Sequence, residues 1–386
     1  MKKINRFQLC LRSVAERDSR MAITDLIDPD GLPPRFEGSA AERRKKRETI
    51  RFIAQKIRRS KQTVLMYGAH LIKNGLGPAV IRLLEGGWIE HIGTNGAGVI
   101  HDWELAWFGR TSEDVRRYVS EGQFGIWQET GFYLNLAAIL AWAENRGFGE
   151  TVGRMIATDR VIIPNPRILE REIQTLEQRF SREKDLFRRG EIRQTLTGKI
   201  NLLRHIESDF PVFGLCPGTH RIPHPSGAAF QKEISVLGRA YKLEIPFTVH
   251  KGIGHDIIDT HPLNDGPAIG AAATNDFLSM GYAQSLLERG VYICVGSSVI
   301  APMIFEKLQS MINNLRIQRK GLPPLRNFLI VVNDIQHEGG WTREPEKRDA
   351  DYYHRFTKTF RRMGGEFVYF EDDNRKFILN LLAELR

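Results

Sequence analysis

The chain has 386 residues, 41% of them hydrophobic and 26% charged, with a net charge of +10. That length holds one large α/β domain with additions, or two domains, and no apolar run is long enough to span a membrane. The charge would suit nucleic acid, anionic membrane or acidic small molecules, but much of it lies in local runs, Arg43–Arg47, Arg58–Lys61, Arg316–Lys320 and Arg361–Arg362. These read as solvated helix faces and connectors, with no nucleic-acid motif and no interleaved aromatic platform. Cys10, Cys216 and Cys294 are far apart and odd in number. They argue against a disulfide framework or zinc cluster and fit a reducing cytoplasm. The N-terminus lacks the apolar core of a signal peptide.

Residues 1–61 read as an N-terminal extension. Asp28–Pro34 is rich in turn formers, and Ser39–Lys61 is a basic helix with Ile50, Ile53, Ala54 and Ile57 as its apolar stripe. Val64–Tyr67 is a first strand candidate. Ile72, Leu76, Val80, Ile81 and Leu84 follow at roughly helical spacing until Gly86-Gly87. Trp88–Ile92 is a second strand running into the small-residue turn Thr94–Gly98, and a helix follows with His101, Asp102 and Glu104. Strand, helix, strand, turn, helix is the pattern of a parallel βαβ unit. The turn is neither a G-x-G-x-x-G fingerprint nor a P-loop, and an ordinary tight βα turn would look the same.

Thr130–Arg146 predicts a helix, and Thr151–Ile163 continues the helical layer to Pro164-Asn165-Pro166. Arg167–Ser208 is long, charged and rich in helix formers, which predicts a helical insertion of one or two helices within an α/β domain spanning 62–386. His220 and His224 lie in a proline-rich loop with no further ligands at metal spacing. Ser226–Tyr241 predicts a helix and Ile245–Val249 a strand. That strand leads into His250-Lys251-Gly252, then His255, Asp256, Asp259 and His261, where no two groups fall in a metal-ligand motif. Further strands are Val291–Val295, Phe328–Val332 and Glu366–Phe370, each followed by a helical stretch. Four strands therefore end in turns combining glycine with polar residues: Thr94–Gly98, Lys251–Asp256, Gly296–Ser298 and Asn333–Gly340. In a parallel sheet all four lie along one edge, where such folds bind ligands.

The order and texture of these turns resemble the deoxyhypusine synthase family. Tyr67–Leu76 resembles the family's first segment, with Ala69-His70 in place of a Ser-Asn pair that helps hold NAD. Thr94–Val99 resembles the Thr-Thr-Ala-Gly-Gly-Val turn, with Asp102 among the following acids and His101 replacing the acid before it. Gly252 and Asp256 fall in the place of an Asp-Gly-Ser-Ile-Gly-Asp loop that contributes to cofactor and polyamine binding. Val295–Val299 and Asn333–Gly340 resemble the last two turns, with Asn333, Gln336 and Gly340 matching. The family's Ser-Trp-Gly-Lys segment, which carries its imine-forming lysine, has no counterpart. Lys347 lies in that region within a charged run, and Lys251 occupies a strand end where a desolvated lysine would suit imine chemistry, although a surface lysine or an anion contact also fits it.

The resemblance implies a Rossmann-like, doubly wound, mainly parallel sheet binding NAD, and assembly as a dimer or tetramer. His70, Thr94, Asn95, Gly96, Ala97, Gly98, Gly296, Ser297, Ser298, Asn333 and Asp334 are the expected cofactor contacts. His101, Asp102, Lys251, His255, Asp256 and His337 are the acid-base or nucleophile candidates, histidine titrating near neutrality. The expected activity is NAD-dependent chemistry on a small molecule, such as hydride abstraction beside an amine or hydroxyl, without deoxyhypusine formation. A non-catalytic nucleotide-binding or interaction module is the alternative. No metal, membrane or nucleic-acid partner is expected.

Overall fold

The computed structural model describes residues 2–224, 230–338 and 346–386, excluding the side chains of residues 350 and 351. Ser226, where a helix is expected to start, and Gly339, Gly340 and Trp341 of the loop after Asn333 lie outside the described residues; the α-helix seen in that stretch is only Val236–Lys242. The chain forms two compact units. One comprises Ile23–Asp102, Lys242–His250 and Phe277–Arg386; the other comprises Met1–Ala22, Trp103–Tyr241 and Lys251–Asp276.

The first unit is built on a six-stranded, wholly parallel sheet flanked by helices: β1 (Thr63–Tyr67), β2 (His91–Asn95), β3 (Phe247–His250), β4 (Val291–Val295), β5 (Leu329–Asp334) and β6 (Glu366–Glu371). In chain numbering the strand order is β3-β2-β1-β4-β5-β6, the 3-2-1-4-5-6 order of the Rossmann fold. β1 and β4 are buried at every residue, as expected of central parallel strands covered on both faces. That is why their sequences, Thr-Val-Leu-Met-Tyr and Val-Tyr-Ile-Cys-Val, show no alternation. β6 forms an edge and is only partly buried. The helix Ala40–Arg59 opens with a capping box between Ser39 and Glu42 and buries the stripe Ile50, Ile53, Ala54 and Ile57.

The registers place Val249, Thr94, Tyr67, Val295, Asn333 and Phe370 in one row across the sheet. The carboxyl ends of all six strands are therefore level. β2 includes Thr94 and Asn95, and the helix Gly96–Phe108 starts at the next residue, so Thr94–Gly98 is a strand end joined directly to a helix rather than a loop. Asn95 makes this possible, because its Oδ1 accepts the Gly98 amide at 2.9 Å and caps the helix.

The second unit is mainly helical. Its central helix, Gln128–Ala143, is buried along almost its whole length. The charged stretch after residue 166 forms two helices, Pro166–Arg182 and Leu186–Arg204, followed by a π-helical turn, His205–Asp209. A two-stranded antiparallel pair joins Arg160–Ile163 to Gly218–Arg221. Among the described residues, no helix is long and apolar enough to cross a membrane.

Candidate functional site

The strand order reverses between β1 and β4, and each is followed by a tight glycine turn. The Gly68 amide donates to the Val295 carbonyl at 2.9 Å, and the Gly296 amide donates to the Asn333 carbonyl at 2.9 Å. Gly296 has φ +59°, a left-handed conformation that L side chains adopt only under strain. These bonds stitch the ends of β1, β4 and β5 together. Outside them lies a crevice of about 420 Å³, within the range of small-molecule sites.

His70 and Asn74 line this crevice from beyond β1, Gly296 and Ser298 from β4, Asn333–Gln336 from β5, and Asp372, Asp373 and Asn374 from β6. Asn74 Nδ2 donates to Asn374 Oδ1 at 2.8 Å, joining opposite walls. The buried Asn333 donates from Nδ2 to the carbonyls of Phe370 (3.0 Å) and Asp372 (2.8 Å), while its Oδ1 has no hydrogen-bond partner. An orphaned buried acceptor is costly unless something satisfies it. Asp372 is bonded by Lys46 at 2.6 Å. Burial acts to raise its pKa, but hydrogen bonds from Lys46 and the Asp373 amide outweigh that and hold it below the usual carboxylate range. Asp373 Oδ1 caps the helix Asn374–Leu385 through the Arg375 amide at 2.8 Å, and Asp334 Oδ1 accepts from the Gln336 amide at 3.1 Å. The lining is thus rich in side-chain amides and carboxylates, with one hydroxyl, that of Ser298.

Of the expected cofactor contacts, the crevice brings together His70, Gly296, Ser298, Asn333 and Asp334. Ser297 is buried behind them, its Oγ accepting from the Ala301 amide at 3.3 Å. Thr94, Asn95, Gly96, Ala97 and Gly98 are not among the lining residues. Thr94 is fully buried and donates from Oγ1 to the Tyr67 carbonyl at 2.9 Å. A Cβ on Gly98 would stand 2.1 Å from that hydroxyl, so glycine there accommodates Thr94 packing.

The acid-base candidates fall in both units. His101 and Asp102 lie on the helix Gly96–Phe108 in the sheet unit, with Asp102 buried. Burial, and then the Asp102 charge, pushes the Tyr67 hydroxyl well above its usual pKa. His337 is exposed, with Nδ1 3.0 Å from Glu371 Oε2. Lys251, His255 and Asp256 belong to the helical unit. The Lys251 side chain is buried, ion-paired with Asp259 and 3.8 Å from Asp256 Oδ2. Burial raises the Asp256 pKa, and the Lys251 charge only partly offsets it. The Lys347 side chain is exposed. Among the described residues, no group of three or more His, Cys, Asp or Glu is arranged to hold a metal ion.

Two features were not singled out from sequence. Asn74, Asp372, Asp373 and Asn374 line the crevice; Asp372-Asp373-Asn374 follow the last strand and show the same strand-end signal, but without a glycine to mark it. Within the sheet, the buried Thr248 Oγ1 lies 3.1 Å from His91 Nε2 and 3.3 Å from His250 Nε2, a hydrogen-bonded chain of two imidazoles and a hydroxyl. Burial pushes His91 down to about 3, with the nearby His250 adding to the effect, and burial pushes His250 down to about 4.

No family model matches the chain, and no curated protein matches it in sequence. Solved structures do match. A conserved protein assigned to LOR/SDH from Methanococcus maripaludis S2 is 15% identical, over 92% of this chain and 73% of that one, with a TM-score of 0.38. ArgZ, an arginine dihydrolase from the ornithine-ammonia cycle in cyanobacteria, is 13% identical over 88% of this chain and 32% of its own, with a TM-score of 0.36. AgrE, solved as a ternary complex with ornithine and NAD+, is 15% identical over 90% of this chain and 34% of its own, with a TM-score of 0.39. This chain thus spans roughly a third of the ArgZ and AgrE chains. Likeness at this level says nothing of activity, and the Rossmann-like assignment rests on the strand order itself.

Proposed function

We propose that the sheet unit binds NAD in the crevice outside β1, β4, β5 and β6, and that the chain carries out NAD-dependent chemistry on a small molecule. The observation that carries this reading is the reversal of strand order at β1/β4 with an open crevice at the carboxyl ends. Parallel α/β sheets bind dinucleotides at that place. The carboxylates and amides of Asp334, Asp372 and Asn333 suit ribose hydroxyls. The serine turn Ser297-Ser298 precedes the helix Ile300–Asn314, whose N-terminal end favours a phosphate. The resemblance in turn order to deoxyhypusine synthases belongs to the same reading. Deoxyhypusine formation does not, because the Ser-Trp-Gly-Lys segment is absent. The bound cofactor would supply hydride transfer beside an amine or hydroxyl, and assembly as a homo-oligomer is part of the same proposal.

Thermal unfolding with and without NAD tests it. At about a hundred times its dissociation constant, a ligand of the folded state stabilises by about 2.7 kcal/mol. NAD is expected to raise the unfolding midpoint of the full chain, and Ser298→Trp, which fills the crevice, is expected to abolish the rise without moving the unliganded midpoint. No rise with NAD, or a rise that survives Ser298→Trp, rejects the site. Spectroscopic appearance of NADH with a panel of amines and hydroxy acids then separates an enzyme from a module that merely holds the nucleotide.

A further inference from the structure

The helical unit contains a cavity of about 180 Å³ whose charged groups are arranged unlike an ordinary surface network. On one wall stands Arg6, half-buried. Its Nη1 donates to the Asp259 carbonyl at 2.9 Å and to Asn264 Oδ1 at 2.7 Å, and its Nη2 donates to the Asn264 carbonyl at 3.2 Å. All three acceptors are neutral. Among the described residues, Arg6 has no ion-pair partner, so its guanidinium is oriented by hydrogen bonds to neutral groups alone. Its charge is felt nearby: burial, and then Arg6, pushes His261 down to about 4.

Lining also comes from the π-helical turn His205–Asp209, a distortion that often marks functional positions. His205 is buried. Its Nε2 lies 2.9 Å from Asp265 Oδ2, and Asp265 in turn caps the helix Gly266–Ser285 through the Ala268 amide at 2.9 Å. Asp209 Oδ2 lies 2.6 Å from His205 Nδ1, without a hydrogen bond to it. The Asp209 side chain is 40% exposed. Phe213 and Leu263 supply apolar lining. The cavity lining therefore brings together the Arg6 guanidinium, fixed by neutral acceptors, the exposed Arg204, which pairs with Asp265, and an accessible Asp209 carboxylate beside the His205 imidazole.

We propose that this cavity is a second ligand site, for a small molecule carrying a carboxylate, which pairs with Arg6, and preferentially an amino group as well, which faces Asp209. Arginine is suited to carboxylates because its planar fork meets both oxygens. Neutral acceptors that fix the fork without cancelling its charge preorganise it for an incoming anion. The reading does not depend on NAD binding, since every residue it uses lies in the helical unit.

Isothermal titration of the full chain with three probes of similar size tests it: valerate, norvaline and butylamine, which carry the carboxylate alone, both groups, and the amine alone. Norvaline is expected to bind more tightly than valerate, and butylamine not at all. Arg6→Met should weaken both acids at least tenfold, with Arg6→Lys in between. Asp209→Asn should reduce norvaline to the affinity of valerate. Binding by none of the probes, binding by butylamine alone, or acid binding unchanged in Arg6→Met overturns the site. Should Arg6→Met fail to fold, Asp209→Asn decides, because unchanged discrimination between norvaline and valerate also overturns it.

Discussion

The Gly296 carbonyl oxygen occupies the space that a side chain on Gly68 would need: a Cβ on Gly68 would stand 2.0 Å from it. The turns after β1 and β4 are therefore in backbone contact at the point where the strand order reverses. The groups that would have to move are main chain on both sides.

Gly68→Ala is accordingly expected to be far more damaging than Gly296→Ala. At Gly296 a Cβ meets nothing within 4 Å, so only the left-handed φ is penalised, by about 1 kcal/mol. At Gly68 the clash cannot be relieved by a rotamer, and a loss of about 3 kcal/mol, the upper end for overpacking, is expected. Urea unfolding of the two variants checks the order.

Asn333→Leu should cost about 2–3 kcal/mol, because it leaves the Phe370 and Asp372 carbonyls without their shared donor. The variant should also weaken NAD binding, since those bonds tether the turn bearing Asp372 and Asp373. Unchanged NAD affinity in a folded variant would separate that turn from the cofactor.

In the helical unit, Arg17 and Glu104 form a bidentate pair at 2.9 and 2.7 Å, each side chain 1% exposed. Thr111 and Thr130 add their hydroxyls to the same carboxylate at 2.6 and 2.8 Å. Arg17→Ala strands that carboxylate and should cost about 3–5 kcal/mol. Adding Glu104→Gln should recover part of the loss, which a double-mutant cycle measures.

Stability is also expected to fall in acid through the sheet itself. His91 and His250 are held neutral by burial, with folded values of about 3 and about 4 against about 6.5 when unfolded. The unfolded chain therefore takes up more protons as pH falls. The contribution of the pair is complete above about pH 6.5 and is lost as pH falls towards 4 and 3, with a slope approaching about 2.7 kcal/mol per pH unit where both differ. Urea midpoints between pH 7 and 4.5 should show it, and the C2 proton resonances of both rings should stay at their neutral positions down to pH 5. Titration of either ring near pH 6.5 in the folded protein would contradict the burial argument.

The sequence by itself determined the class and most of the strands, although the second strand, expected at Trp88–Ile92, runs His91–Asn95. Val64–Tyr67, Val291–Val295 and Phe328–Val332 are uninterrupted apolar runs of strand length, each followed by a turn-forming stretch, the pattern of a strand covered on both faces, so a parallel α/β sheet was legible. So was the principle that polar turns gather at its carboxyl edge, which pointed to Gly296, Ser298, Asn333 and Asp334, whereas His70 came from the resemblance to deoxyhypusine synthases. The tertiary structure alone decided which turns share a crevice. Periodicity is local, whereas strand neighbours are set by crossovers across hundreds of residues. β1 lies beside β4, and β5 beside β6, so Asp372–Asn374 line the crevice that Thr94–Gly98 does not. The same holds for Arg6, whose partner Asn264 lies 258 residues away. A sequence reveals that an arginine is present, but whether its charge meets a carboxylate or only carbonyl oxygens is fixed when distant segments pack together.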